Sequence, residues 1–487
     1  MAIFCIRACI FGLFISVLTG ETVEVQILHT TDIHCQLHNH KGGWVKLAGV
    51  INKVRQEESL LIDCGDTIQG SVEAVATQGE VAIDFLNYLE YDAWALGNHE
   101  LDFGIPRLHQ LLKKTKVPIV NGNFSLLPPY AMKFPAYIVY RIKGAKIAVI
   151  GMQASFLKHW FIGEDFEGYS VQKVVEVLPE ILKNIQQEDV DMTILAMHHG
   201  FKYSDARGVN EVTDVAKFFP EIDLILGGHT HQNIPGRSVY GTFYSQAGYH
   251  ASHLGEVIAK INLSDKRVES LKSRLINVEK EFVPDQGANE LYKKWQPVME
   301  NYSEEKIVEL SEPISAKGYP GSGCQTASLI AYSMIEASGA DFAVHGKLSS
   351  KSLEGKVTMR KIFDVIPYEN NIYVLELTKK QLFNIMEEQL TFFKKSHFNA
   401  PSGFSVKIDK QTKKLVKLII PHQELYKVAI NSRVAAGGGG RFPYIRDLIK
   451  SKKASFKEVK INTREAVVDY LKKNKNHNFE KTVKYSE

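Results

Sequence analysis

Five short clusters gather the carboxylate, amide and imidazole side chains of the first half of the chain. They are Asp32-Ile33-His34, Gly65-Asp66, Gly97-Asn98-His99-Glu100, His198-His199-Gly200 and Gly227-Gly228-His229-Thr230-His231. Hard oxygen donors mixed with imidazole nitrogens suit a first-row divalent metal ion, and there are enough of them for two. Asp32 and His34 stand two residues apart, a spacing that points both to one side of an extended backbone. Asp66 carries two oxygens and can bridge a pair of ions. Asn98 adds a neutral carbonyl oxygen, and His198, His229 and His231 add imidazoles. A single Asp-x-His is weak evidence, because a lone histidine at a strand end is commonly a satisfied core residue. Five clusters in this order are far more specific.

Each cluster follows an apolar run: Val25–Leu28, Leu60–Ile62, Ala93–Leu96, Met192–Ala196 and Leu224–Leu226. These runs predict buried strands that deliver polar residues at their C-terminal ends, where α/β sheets place ligand sites. Between them, Leu47–Val54 and Val81–Leu89 have helical apolar spacing. Phe134–Val139 and Lys146–Ile150 suit a hairpin around Lys143-Gly144. The alternation predicts an α/β domain over residues 21–280. Asn289–Glu305 suits a connecting helix within a linker at 281–308. Residues 309–487 restart with their own elements, Thr326–Ala337, Ile372–Leu377 and Leu382–Glu388 among them, and form a smaller second domain.

The length of 487 residues agrees with two domains. Hydrophobic and charged contents of 44% and 23% describe a globular protein, and a net charge of +4 is too balanced to imply binding of a nucleic-acid polymer. The lysines near the C-terminus (Lys450, Lys452, Lys453, Lys472, Lys473, Lys475) read as a solvated face. Arg7, the apolar stretch Ala8–Leu18 and the small Gly20 have the form of a signal peptide over residues 1–20. No later segment is apolar for long enough to span a bilayer. The expected destination is therefore outside the cytoplasm: a periplasm, a cell surface or the medium. Removal of the leader leaves Cys35, Cys64 and Cys324, too few for a disulfide framework. Cys35 and Cys64 read as buried thiols beside the metal cluster. Asn123, Asn262 and Asn301 begin glycosylation sequons.

The motifs Leu28-His29-Thr30-Thr31-Asp32-Ile33-His34, Asp63-Cys64-Gly65-Asp66, Gly97-Asn98-His99-Glu100-Leu101-Asp102-Phe103-Gly104 and Gly227-Gly228-His229-Thr230-His231 resemble the calcineurin-like metallophosphoesterases. They resemble the exported 5′-nucleotidase family more closely. The resemblance implies a two-sheet sandwich flanked by helices, followed by a smaller α/β substrate-binding domain. It implies one ion held by Asp32, His34, Asp66 and His231, and a second by Asp66, Asn98, His198 and His229, with His199 as the alternative to His198. Zn, Mn, Co and Fe all suit such donors. Two adjacent ions would activate a water for direct attack on phosphorus, so no nucleophilic Ser or Cys is needed. By the same resemblance His99 assists the leaving oxygen and Asp102 orients it, although Asp102 could also cap a helix.

In the second half, Phe398 and Phe442 occupy the places where the family stacks a nucleobase. Asn431 and the glycine run that includes Gly438 and Gly439 border them. Four glycines in a row let backbone approach a ligand closely. A nucleotide is the implied substrate. The Gly-Gly-x-Arg segment of 5′-nucleotidases is absent, and the stretch there reads Val344-His345-Gly346-Lys347-Leu348-Ser349-Ser350. The segments that follow, Gly355–Phe363 and Ile366–Asn371, and the Asn431-Ser432 and four-glycine loop look like the 2′,3′-cyclic-nucleotide phosphodiesterase/3′-nucleotidase branch. Lys347, Arg433 and Arg441 are phosphate-contact candidates on charge. A non-nucleotide ester hydrolase and a catalytically silent nucleotide-binding protein are the rival readings.

Overall fold

The computed structural model describes residues 21–38, 40–157, 167–202, 209–368, 370–395, 398–438, 440–474, 479 and 481–485. The expected leader, Gly439 and Lys475 lie outside the described residues.

Two sheets form the N-terminal unit. The first runs Arg267–Asn277, His253–Asn262, Thr22–Thr30, Ser59–Asp63, Ala93–Trp94. The second runs Asn233–Val239, Thr242–Ala247, Leu224–Leu226, Met192–Met197, Ala145–Met152, Tyr137–Ile142. Val25, Ile27, Leu60 and Ile62 of the first sheet bury against Ile147, Val149, Ile194 and Leu224 of the second. The outer face of the first sheet is covered by the helices Trp44–Val54, Glu80–Tyr88 and Gly104–Lys114, with Trp44 stacked on Phe85. Val174–Gln187 and Val212–Phe218 cover the second sheet. The result is the helix-flanked two-sheet sandwich that was expected.

Parallel pairing explains why the clusters converge. Thr30 sits opposite Asp63, and Asp63 opposite Trp94, so the segments carrying Asp32, Asp66 and Asn98 leave the first sheet side by side. In the second sheet Met152 pairs with Met197 and Leu226 with Ala196, which brings His198 and Gly227–His231 out at one edge. The run Ala93–Leu96 makes only a two-residue strand. Ala95 N still donates to Asp63 O at 2.9 Å, and the chain then turns into the Asn98–Leu101 helical turn.

The predicted hairpin is present as Tyr137–Ile142 and Ala145–Met152. Lys143 and Gly144 take φ of 49° and 86°, the left-handed turn that suits a two-residue connection. The predicted connecting helix is Gln286–Ser303, capped by the Asp285 side chain on Ala288 N. It packs on the first unit, where Trp295 Nε1 donates to Asp84 Oδ2 at 2.9 Å.

The second unit is built on a five-stranded sheet ordered Ala400–Ser402, Phe342–His345, Tyr426–Asn431, Asn371–Leu377, Ser455–Asn462. Apolar clusters fill both of its faces. Arg360 of this unit pairs with Glu73 of the first at 3.0 Å. Among the described residues Cys35, Cys64 and Cys324 are free buried thiols. Asn123 is a poor glycan acceptor, since it is buried with its amide donating to Gln153 O and Gln172 O. Asn262 is buried as well.

Candidate metal centre and ligand cavity

Asp32, His34 and His231 form one group of converging donors, and Asp66, His198 and His229 form a second. Within each group the ligand atoms lie within 4.8 Å of one another. Asp66 also faces the first group, with Oδ2 4.0 Å from His34 Nε2 and 3.0 Å from His198 Nε2. His34 Nε2 and His231 Nε2 stand 3.1 Å apart. His34 Nδ1 lies 2.9 Å from Gln69 O and His198 Nδ1 2.7 Å from Cys64 O. A carbonyl can only accept, so each ring carries a proton on Nδ1 and turns Nε2 inward. Burial pushes His34 down to about 4 and His229 down to about 3. Both are neutral at pH 7, the form that ligates a cation.

At the centre, Asn98 Oδ1 and Nδ2 are buried and make no hydrogen bond, and the buried His198 Nε2 has Asp66 Oδ2 3.0 Å away. Orphaned polar atoms of this kind are costly unless something fills the space between them. A divalent cation coordinated by His198 Nε2 and Asn98 Oδ1 would do so. His199 takes no part, because its two ring nitrogens face Ser155 N and Glu211 N.

The backbone at these positions is unusual. Asp32, His34, Asp66, His229 and His231 hold φ of 52°, 55°, 58°, 69° and 55°. Left-handed non-glycine residues cost roughly 1–3 kcal/mol each and persist where the surroundings over-determine them. Here the surroundings are backbone contacts between neighbouring turns: Asp32 N donates to Gly65 O and His34 N to Asp66 O, each at 2.8 Å. Gly97 and Gly228 allow the turns to close. A Cβ at Gly97 would meet Asp66 N at 2.4 Å, and one at Gly228 would meet Thr31 Oγ1 at 2.4 Å.

Glu100 is a structural residue that sequence reasoning passed over. It is fully buried, and its carboxylate accepts from the backbone N–H of Asp66, Thr67, Ile68 and Gly97. One side chain thereby ties the Asp66 turn to the Asn98 turn.

His99 Nδ1 lies 2.7 Å from Asp102 Oδ2. Burial alone would lower the pKa of His99. The carboxylates of Asp102 and Asp66 outweigh it and push the imidazole up to about 10, leaving it cationic at neutral pH. The N-cap of the following helix is Phe103, and Asp102 closes the Asn98–Leu101 turn.

The calcineurin-like phosphoesterase family profile matches residues 25–233, and the 5′-nucleotidase C-terminal domain profile matches residues 306–447. The chain is a calcineurin-like phosphoesterase joined to a 5′-nucleotidase C-terminal domain. This is a family of hydrolases. A 5′-nucleotidase of Vibrio parahaemolyticus is 24% identical over 86% of this chain and 85% of its own length. A 2′,3′-cyclic-nucleotide 2′-phosphodiesterase/3′-nucleotidase of Haemophilus influenzae is 23% identical over 76% and 68%. The crystal structure of a 5′-nucleotidase precursor from Thermus thermophilus superposes with a TM-score of 0.69, 20% identity, and coverage of 95% and 99%, which shows the shared fold. The chain spans about a third of the length of two Bacillus subtilis relatives, an endonuclease and a trifunctional nucleotide phosphoesterase (36% and 32%).

The 5′-nucleotidase C-terminal domain contains a cavity of about 400 Å³. Lys347, Arg433 and Arg441 all line it, with Asn431, Gly438 and Phe442. The loop without the family arginine therefore supplies its own cation. Asn431 Oδ1 accepts from Val434 N at 2.9 Å, which fixes the amide so that Nδ2 donates to His345 Nε2 at 3.1 Å. His345 Nδ1 then carries the proton, is buried without a partner, and belongs to the cavity wall. Both phenylalanines are buried in the core of the second domain (0% exposed for Phe398, 1% for Phe442); Phe442 also borders the cavity, and Phe398 meets Phe393 edge-on (5.4 Å, 79°).

Proposed function

We propose that this chain is an exported nucleotidase that removes phosphate from nucleotides by hydrolysis, with two divalent ions resident in the metal centre. Asp32, His34, Asp66 and His231 would hold one ion, and Asp66, Asn98, His198 and His229 the other. Bound there, such ions supply charge stabilisation at phosphorus and an activated water. The observation that carries the reading is the pair of donor groups, with Asp66 facing both and Asn98 Oδ1 buried and unbonded beside them.

The protein's own residues complete the chemistry. His99, held cationic by Asp102, is placed to give a proton or a positive charge to the departing oxygen. Thiol chemistry is unsuited to the task, since burial pushes Cys35 and Cys64 up and keeps them protonated. The cationic cavity of the second domain would take the nucleotide. Phe442 stands in its wall, and a base stacking there would uncover a ring that is buried in the free protein. The second reading, a 2′,3′-cyclic-nucleotide phosphodiesterase/3′-nucleotidase, is supported by the resemblance of Gly355–Phe363 and Ile366–Asn371 to that branch and by the absence of the 5′-nucleotidase arginine from the His345–Ser350 stretch that lines the cavity. Among the described residues no helix is long and apolar enough to cross a membrane.

Phosphate release should be measured on 5′-, 3′- and 2′,3′-cyclic nucleotides with Mn²⁺, Zn²⁺ or Mg²⁺, with chelator, and for His99→Ala and Asp66→Asn. Release from 5′-nucleotides that both substitutions abolish supports the first reading. A preference for cyclic or 3′-nucleotides selects the second. Activity on a generic aryl phosphate alone points to a non-nucleotide ester hydrolase. No release above the His99→Ala background with any metal sinks the enzymatic reading.

A further inference from the structure

The turn between the Thr242–Ala247 and His253–Asn262 strands sets two rings against the first ligand group. Tyr249 stacks on His231, with ring centroids 4.9 Å apart and planes 13° apart. His250 meets His34 edge-on at 5.7 Å and 85°, and Tyr249 and His250 touch each other at 4.7 Å. The turn is held firmly. His250 N donates to Asp32 O at 2.8 Å, and Gly43 N donates to His250 O at 3.1 Å. His250 and Ala251 take φ of 55° and 52°, a strained pair that these contacts maintain.

His231 needs such support more than its partners do. Its side chain is 39% exposed, against 8% for His34 and 0% for Asp32. His34 is further anchored by Gln69 O, while the polar contacts of the His231 ring among the described residues are the facing His34 nitrogen and Asp32 Oδ1, at 3.2 Å. An exposed imidazole must give up rotamer freedom to ligate an ion, and a parallel ring removes that freedom beforehand.

We infer that Tyr249 is a positioning residue for His231, and through it for the ion of the first group. The inference rests on the dinuclear reading proposed above. Tyr249 is 38% exposed, so its removal leaves no core cavity. The stack uses the ring and not the hydroxyl, so phenylalanine should serve as well.

The test is titration of the metal-free full-length protein with Mn²⁺ by calorimetry, comparing wild type, Tyr249→Ala and Tyr249→Phe, with thermal melts to confirm folding. Wild type should bind two ions. Tyr249→Ala should bind one ion 10–100-fold more weakly and leave the other unchanged, with kcat lowered and KM for nucleotide unmoved. Tyr249→Phe should match wild type within about threefold. Two unaltered affinities in Tyr249→Ala would overturn the inference while leaving the dinuclear reading intact. A loss in Tyr249→Phe equal to that in Tyr249→Ala would also overturn it, by assigning the effect to the hydroxyl. Fewer than two ions in wild type would overturn the dinuclear reading itself.

Discussion

The imidazole of His99 is hydrogen-bonded through Nδ1 to the carboxylate of Asp102 at 2.7 Å, and the backbone N–H of the same histidine donates to Asp66 Oδ1, also at 2.7 Å. One residue therefore links the proposed acid pair to the proposed bridging carboxylate. Its ring is reachable, being 23% exposed, while Asp102 is only 7% exposed. Positioned acids contribute about 10²–10⁴-fold to rate. His99→Ala is expected to lower kcat within that range and to leave metal content at wild-type stoichiometry. Asp102→Asn should cost less, because the imidazole remains but loses the carboxylate that keeps it protonated. Steady-state kinetics with elemental analysis of the purified variants check this. Loss of metal in His99→Ala would place the residue in the structure of the centre and not in proton transfer.

Crowding Asp32, Asp66 and four imidazoles together is unfavourable without cations between the carboxylates, so ion binding should stabilise the fold. An ion present at about 100 times its Kd adds roughly 2.7 kcal/mol to stability. Exhaustive chelation is expected to abolish turnover and lower Tm, and Mn²⁺ or Zn²⁺ should restore both. Asp66→Asn should blunt the Tm response to added metal more than Asn98→Ala, because Asp66 faces both groups. Differential scanning fluorimetry across a metal series is the measurement. Equal responses from the two variants would remove Asp66 from its bridging place.

The proposed ligand positions are readable in the sequence because each follows an apolar run that reads as a strand. Parallel pairing of those strands brings Asp32, Asp66, Asn98, His198, His229 and His231 together. The choice of His198 over His199 came from a motif; in the structure His198 Nε2 lies 3.0 Å from Asp66 Oδ2, while the ring nitrogens of His199 face Ser155 N and Glu211 N. Three features were not legible. The left-handed conformations of Asp32, His34, Asp66, His229 and His231 occur at residues with no glycine-like signal, because they follow from contacts between turns distant in sequence. Glu100 read as a neighbour in a motif, while its four backbone acceptor bonds depend on where the Asp66 turn lies. Tyr249 and His250 carry no periodicity and sit in a turn between strands, so only the fold shows what they touch.

Away from the centre, burial pushes the carboxyl of Asp223 up to about 6, against the opposing effect of a hydrogen bond from Thr193 N at 2.8 Å. The folded state therefore holds this proton more tightly than the unfolded state, whose value is 3.8. The stability it contributes is fully present below pH 3.8 and is lost as pH rises through about 6. The change is on the order of 3 kcal/mol. Asp223→Asn keeps an oxygen for Thr193 N and removes the titration. The variant is expected to be more stable than wild type at pH 7, and the difference should shrink toward pH 4. Urea unfolding of both proteins at several pH values checks the sign, and a variant less stable than wild type at pH 7 would contradict it.

Phe398 and Phe442 belong to the same buried cluster, and Phe442 alone of the two also borders the cavity, beside Arg433 and Arg441. Phe442→Ala leaves a core cavity and is expected to lower Tm; with a base stacked on the ring, worth about 1–3 kcal/mol, it should also raise KM for nucleotides by roughly 5–150-fold. Turnover of a small aryl phosphate, which has no base to place in the cavity, should be unaffected. Phe398 is wholly buried against Phe393 within the apolar cluster of the second domain. Phe398→Ala leaves a core cavity and is expected to cost about 3–5 kcal/mol of stability, with a lower Tm as its first symptom. Phe398→Leu keeps most of the volume, and its KM for nucleotides should stay near that of wild type. A rise in KM for Phe398→Leu as large as that for Phe442→Ala, at unchanged Tm, would show that the buried ring reaches the base after all. The second domain would then have to open the contact between Phe393 and Phe398 when a nucleotide binds.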